Sequence, residues 1–442
     1  MDWLAGGPLA AVGFAAMLLL IALRVPVALA MFACGAAGYL WQLGAAPLLA
    51  YVKAAPFALF SSYALSVIPL FVLMGQLAAK AGLSEALFAA LRTWLGHRRG
   101  GVAMAVIVAC AGFGAVCGSA IATTATIGHA ALPALRGQGY AGGLATATVA
   151  VGGTLGILIP PSVILVIYGL VTETNIASLF KAALVPGLLA AAFHCLVIAL
   201  VVRRRPQDGP AGLRADRAAR RAALRAVWPV LLIFLVVVGG IYLGLFTPTE
   251  GAAVGVVTTL LLAAARGGLS VARLGEALLE TAQLAGMIFA LLLGADMFNT
   301  FLALTRAPEA LAAAVAAADL APLAVIAAIL AGYVLLGALM DELAMILLTL
   351  PVVFPVVMAL DLGLAGGDAA VWFGILVLVV VGIGLATPPI GLNVFVVSAL
   401  ARDVPLPRIY RAVLPFVLGD LVRLALLVAF PGISLALVHL LR

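Results

Sequence analysis

Gly118-Ser119-Ala120-Ile121-Ala122-Thr123-Thr124 interrupts a long apolar stretch with a polar turn. The next apolar stretch is broken by Gly153-Thr154-Leu155-Gly156-Ile157-Leu158-Ile159-Pro160-Pro161-Ser162. Half the chain later the pattern returns, as Gly337-Ala338-Leu339-Met340-Asp341-Glu342 followed by Gly384-Leu385-Ala386-Thr387-Pro388-Pro389-Ile390-Gly391. Glycine and proline inside an apolar run free backbone amides and carbonyls, and hydrocarbon cannot satisfy them. Such breaks persist only where they line a cavity or bind something. Interruptions at matching places in two halves of a membrane protein point to a transport site.

Composition agrees. Only 9% of the 442 residues are charged and 66% are hydrophobic, whereas a soluble domain carries roughly 25% charged residues. Apolar segments of about 20 residues recur along the chain, so an all-α integral membrane protein is expected and a barrel is not. The start, Met1-Asp2-Trp3-Leu4, lacks a basic region and a small-residue cleavage site, so the first apolar segment is expected to be retained. The net charge of +7 comes from basic residues between spans, which reads as topology and not as a nucleic-acid surface. Cys34, Cys110, Cys117 and Cys195 lie in apolar segments with no metal or disulfide pattern, and are expected to be buried small hydrophobes.

The second half repeats the first with nearly constant offsets. Pro26 maps to Pro248, Ser84-Glu85 to Pro308-Glu309, Ser119 to Asp341, Pro133 to Pro355, and Pro160-Pro161 to Pro388-Pro389. The expected organisation is a first repeat over 1–202, with a hairpin at about 101–135 and a broken helix at about 141–171. An arginine-rich linker spans 203–226. A second repeat covers 227–442, with a hairpin at about 322–360 and a broken helix at about 370–400. The linker holds Arg203, Arg204, Arg205, Arg214, Arg217, Arg220, Arg221 and Arg225, which places it in the cytoplasm. Counting spans from there puts Arg24, Arg136, Arg266, Arg273, Arg402, Arg408 and Arg411 inside. Glu173, Glu250, Glu309, Asp361 and Asp368 fall outside, as does the N-terminus. Hairpins count as zero crossings, so each half has an odd number of crossings and the repeats are inverted.

These stretches resemble the large membrane subunit of the tripartite ATP-independent periplasmic (TRAP) transporters, within the ion transporter superfamily. The resemblance rests on Ile68-Pro69-Leu70-Phe71-Val72-Leu73-Met74-Gly75, Gly118 to Ala125, Gly139-Tyr140 and Gly153 to Ser162. It continues with Pro248-Thr249-Glu250-Gly251-Ala252-Ala253, Met340-Asp341-Glu342 and Thr387-Pro388-Pro389-Ile390-Gly391-Leu392-Asn393. It implies an elevator mechanism in a bacterial inner membrane, with hairpins and broken helices sliding against a scaffold. It also implies sodium-coupled uptake of an organic acid such as a C4-dicarboxylate or sugar acid. A periplasmic binding protein delivers the substrate, and a small four-helix membrane subunit, expected as a separate polypeptide, packs alongside. Gly382 departs from the family pattern, which often has an acidic residue there. A stand-alone sodium/dicarboxylate or citrate symporter of the same superfamily is the alternative, and would need neither partner. Neither an enzyme nor a cofactor is indicated, and Gly112-Phe113-Gly114 to Gly118 lacks the spacing and preceding strand of a dinucleotide site.

Sodium takes several oxygen ligands, which broken helices supply as carbonyls. Ser119 and Thr123, with the carbonyl near Gly156, suit one site, and Asp341 and Thr387, with the carbonyl of Ala386, suit another. Serine and threonine in membrane helices also serve packing or bond back to the preceding turn, whereas an acid at membrane depth is a functional candidate. With no Lys or Arg in either motif, a carboxylate would be held by sodium, hydroxyls and half-helix N-termini. The candidate contacts are Gly118, Thr124, Thr154, Pro160, Pro161, Met340, Glu342, Pro388, Pro389 and Asn393. Asp296 and Asn299 share a helical face at the end of a span, where a cap or scaffold contact is expected over coupling. Glu250 is expected to be a first-turn acid, and His129 and His194 core or interfacial histidines.

Overall fold

The computed structural model describes residues 3–318 and 320–441, and Met1 and Asp2, on which the expectation about the start of the chain partly rests, lie outside it. All regular structure among the described residues is helical. Seven helices are long and apolar enough to cross a membrane, and Gly142–Leu158 with Val163–Val171 forms a further span bent by 44°.

The first polar turn separates two antiparallel helices, Gly101–Cys117 and Ala120–Gly137. The second separates Pro322–Gly337 from Glu342–Met358. Each hairpin is followed by an interrupted helix: Gly142–Leu158 and Val163–Val171 in one half, Asp368–Ala386 and Leu392–Leu400 in the other. Both interruptions carry the Pro-Pro pair with a cis peptide bond.

Each tip is tied to its break by one backbone bond. Gly118 O accepts from Val163 N at 3.4 Å, and Ala338 O accepts from Ile390 N at 3.1 Å. A carbonyl freed by one turn thus satisfies an amide freed by the other. Contact this close depends on missing side chains. A Cβ on Gly114 would lie 2.5 Å from Gly156 Cα, and one on Gly384 would lie 2.6 Å from Gly337 C. Gly118 adds a left-handed φ of 65°, which ends the first arm without strain.

The two broken helices also meet. Asn393 Nδ2 donates to Ala150 O at 3.1 Å in a fully buried contact, and the position a Cβ would take on Gly382 lies 3.5 Å from Thr154 Cβ. Tyr168 OH donates to Ala370 O at 2.7 Å.

Around this unit run Val27–Leu43, Val67–Lys80, Pro248–Ala265 and the 35-residue helix Val271–Thr305. Small residues bring Val27–Leu43 onto the long helix, since a Cβ on Gly294 would lie 2.3 Å from Ala28 O. Lys80 reaches Glu276 at 3.0 Å and Glu280 at 2.8 Å, fixing Val67–Lys80 to the same helix. Glu250 closes a capping box with Thr247, as its position one turn into the helix predicts.

The linker 203–226 is partly helical, because Arg217–Phe234 begins inside it and continues as a span. Of the cap or scaffold contact expected for Asp296, the structure gives the scaffold contact, with Tyr51, from well within Val271–Thr305. Cys110 and Cys117 are buried, but Cys34 and Cys195 are partly exposed, and all four are free.

If the glycine pairs set the tip-to-break distance, Gly156→Ala and Gly384→Ala will each cost roughly 1–3 kcal/mol through overpacking. Gly286→Ala, where a Cβ meets nothing within 4 Å, will not. Melting temperatures of the purified variants in one detergent test this, and equal values for all three would contradict it.

Candidate functional site

Three helix starts converge on one cavity. Ser119 is extended (φ −133°, ψ 131°), and its Oγ accepts from Ala122 N at 3.4 Å, opening the second arm of the first hairpin. Asp341 (φ −70°, ψ 160°) does the same for the other hairpin, its Oδ1 accepting from Leu343 N and Ala344 N at 3.0 Å each. Ser162 caps Val163–Val171 through Leu165 N at 3.4 Å. These caps stop the helices mid-protein and turn their positive dipole ends to one place.

The cavity has a volume of about 460 Å³. Gly118, Ser119, Asp341 and Glu342 line it from the two tips, with Val163 and Ile164 from the broken helix. Gln76 faces it from Val67–Lys80, and Leu284, Met287 and Leu291 from Val271–Thr305. Its wall is thus part hairpin and part surrounding helix. Among the described residues no lysine or arginine lines it. Glu342 is buried, and its Oε2 has no hydrogen-bond partner among the described residues.

Of the residues singled out from the sequence, Gly118, Ser119, Asp341 and Glu342 share the cavity. Thr123 lies just behind it: a Cβ on Gly156 would meet Thr123 Oγ1 at 2.6 Å and Ser119 O at 2.7 Å. The Ser119 carbonyl and the Thr123 hydroxyl therefore face the same spot at Gly156. Thr123 Oγ1 is buried with no nitrogen or oxygen partner among the described residues. Thr124 and Thr154 are buried and bond back along their own helices, to Ala120 O and Val151 O at 2.8 Å. Pro160 and Pro161 are buried, and the Pro161 carbonyl packs on Gly118.

The second break is more open. Pro388 and Pro389 are exposed, Met340 is half-buried, and none of the three lines the cavity. Ala386 is buried, and Thr387 bonds back to Ile383 O. Tyr410 OH donates to Pro389 O at 2.9 Å and Ile390 O at 2.7 Å, covering two carbonyls of this break. Asn393 is committed to Ala150 through Nδ2, while its Oδ1 is buried without a partner.

Sequence reasoning missed Gln76, Tyr410 and the glycine pairs. Gln76 is the one uncharged amide in its span, which is the signal that would have found it. Asp296 accepts from Tyr51 OH, and Thr300 Oγ1 lies 2.9 Å from the same hydroxyl, in a separate cavity of about 650 Å³. His194 is core, bonded to Asp420 at 3.1 Å, and Arg423 pairs with the same carboxylate at 2.9 Å. These charges compensate one another inside the bundle. Among the described residues, no group of three His, Cys, Asp or Glu side chains is arranged to hold a metal.

The architecture is that of a multi-pass transport protein built from two hairpins and two interrupted helices. The family described as tripartite ATP-independent periplasmic transporter, DctM component, matches residues 14–433, and the chain belongs to it. It is therefore a large permease subunit and not an enzyme. It is 36% identical to the C4-dicarboxylate TRAP transporter large permease protein DctM of Pseudomonas aeruginosa, over 85% of this chain and 86% of the relative. It is 30% identical to the isethionate TRAP transporter permease protein DctMQ of Oleidesulfovibrio alaskensis, over 96% of this chain and 65% of that longer relative. The crystal structure of the Alcanivorax borkumensis YdaH transporter shares the fold, with a TM-score of 0.62 at 17% identity, covering 95% of this chain and 99% of that one.

Asp341 has two separable properties, a cap and a charge. Asp341→Ala will lower stability by about 1 kcal/mol through loss of the cap, while Asp341→Asn, which can cap equally well, will stay close to the unmodified chain. Thermal melts of both variants check this, and an equal loss in both would show that the cap contributes nothing.

Proposed function

We propose that this chain is the membrane path of a sodium-coupled importer for an organic acid. The observation that carries the reading is the cavity where three helix N-termini and two carboxylates meet with no basic residue among the described ones. Helix N-termini favour an anion, but Asp341 and Glu342 oppose one. Two like charges at 4 Å repel by about 4 kcal/mol in an effective dielectric near 20. A sodium ion between substrate and carboxylate removes that repulsion, so each ligand requires the other. Ser119 O and Thr123 Oγ1 are oxygens suited to one sodium ion, and Asp341 with the Ala386 carbonyl and Thr387 to a second. Gly118, Glu342 and the first-turn amides that the caps do not take are left for the substrate.

The hairpins and broken helices move as one body against Val67–Lys80 and Val271–Thr305, an elevator step carrying the tips across the membrane. The mixed wall of the cavity supports this division. The named substrates of the two relatives, C4-dicarboxylates and isethionate, are small organic anions, which supports the substrate class. A periplasmic binding protein delivers the substrate, and a small four-helix membrane subunit completes the complex. The fused name DctMQ, on a relative of which this chain covers 65%, is in keeping with that second partner. The arginine distribution supports insertion in a bacterial inner membrane with the N-terminus in the periplasm.

The test is uptake of C4-dicarboxylates and other organic acids in proteoliposomes, with and without a sodium gradient and with each partner present or omitted. Uptake will require the gradient and both partners. Sodium-driven uptake by this chain alone would overturn the tripartite reading in favour of a stand-alone symporter.

A further inference from the structure

Arg217, Arg220, Arg221 and Arg225 line a groove of about 500 Å³ with Trp94 and Leu224, on a helix that continues as a candidate span. Arg220 lies over the Trp94 ring at 5.4 Å from its centroid, and its Nε is buried without a hydrogen-bond partner. Among the described residues none of these four arginines forms an ion pair. The nearby acid, Asp216, is engaged as the helix cap, accepting from Ala219 N at 2.6 Å.

This arrangement works against the helix. Arg217, Arg221 and Arg225 are spaced four apart, so neighbours repel, and Arg217 and Arg220 sit in the first turn, where the dipole disfavours cations. Among the described residues only the Trp94 ring under Arg220 and the Asp216 cap offset part of that cost, and no acid pairs with the row. The same face then becomes apolar and open: Leu224, Trp228, Leu231 and Leu235 are 61%, 51%, 55% and 64% exposed. At 100° per residue, the arginines and this stripe fall within an arc of about 140°. A basic groove thus sits directly above an uncovered apolar track at one end of a span.

We propose that this groove binds an anionic phospholipid, with the phosphate held by Arg217, Arg220 and Arg221 and an acyl chain along Leu224, Trp228, Leu231 and Leu235. Guanidinium forks match phosphate oxygens, and the phosphate removes the repulsion along the arginine row. The apolar track separates a lipid from a soluble phosphate, which would use the groove alone.

Native mass spectrometry of the purified full chain, offered phosphatidylglycerol or phosphatidylcholine in detergent, tests this, with inorganic phosphate as competitor. Phosphatidylglycerol will be retained and phosphatidylcholine will not, and excess inorganic phosphate will not displace the lipid. The triple variant Arg217→Gln, Arg220→Gln, Arg221→Gln will retain at least roughly tenfold less, since each basic residue near an anionic lipid is worth about a factor of five. Arg203, Arg204, Arg205 and Arg214 remain to fix topology. Should that variant fail to fold, Leu224→Glu, which keeps every arginine, will show the same loss. Equal retention of the two lipids, or undiminished phosphatidylglycerol in the folded variants, would overturn the proposal. Displacement by inorganic phosphate would overturn it in favour of a soluble-anion site, and coverage of this face by the small subunit with no lipid retained would overturn it as well.

Discussion

A helix that stops inside a bilayer leaves carbonyls and amides that lipid cannot bond, each costing several kcal/mol if left alone. Two such stops fall in each half of this chain, one at a hairpin tip and one at a Pro-Pro break. The solution is to place the two stops against each other. Gly118 O takes Val163 N, and Ala338 O takes Ile390 N. Everything else in the hairpin region follows from keeping those bonds short, including the backbone contacts at Gly114 with Gly156 and Gly337 with Gly384.

The same constraint places the chemistry. A tip held against a break by its backbone presents its caps, Ser119 and Asp341, to the space beside the joint, and Val163–Val171 starts there too. The groups that start the second hairpin arms are therefore the groups that face the cavity. The halves are not equivalent: the first break is buried, whereas Pro388 and Pro389 are exposed and two carbonyls of that break rest on Tyr410. An acid at one tip and a serine at the other extend this asymmetry to charge.

Much of this was legible in the sequence, because helix breakers in apolar runs have few other meanings. The hairpins fall at 101–137 and 322–358, and the residues at their tips, Ser119 and Asp341, are capping types that open the second arms. What stayed hidden were contacts between distant segments. From its sequence Asn393 suits a site role or a packing hydrogen bond equally, and nothing local tells that its amide reaches Ala150, 243 residues away. Tyr410, the His194–Asp420–Arg423 cluster and the Asp296–Tyr51 pair are likewise products of packing that no local spacing encodes. Within the linker a helix begins at Arg217, which Ala218, Ala219, Ala222 and Ala223 among the arginines favour.

The central claim is that the carboxylate at the second tip couples sodium to the substrate in one cavity. The most direct measurement is the sodium dependence of uptake in proteoliposomes holding the complete complex, for the unmodified chain and for Asp341→Asn. The account predicts that uptake rises with the sodium gradient in the former, and that the variant, folded and inserted, loses that dependence. Unchanged uptake and unchanged sodium dependence in Asp341→Asn would contradict it.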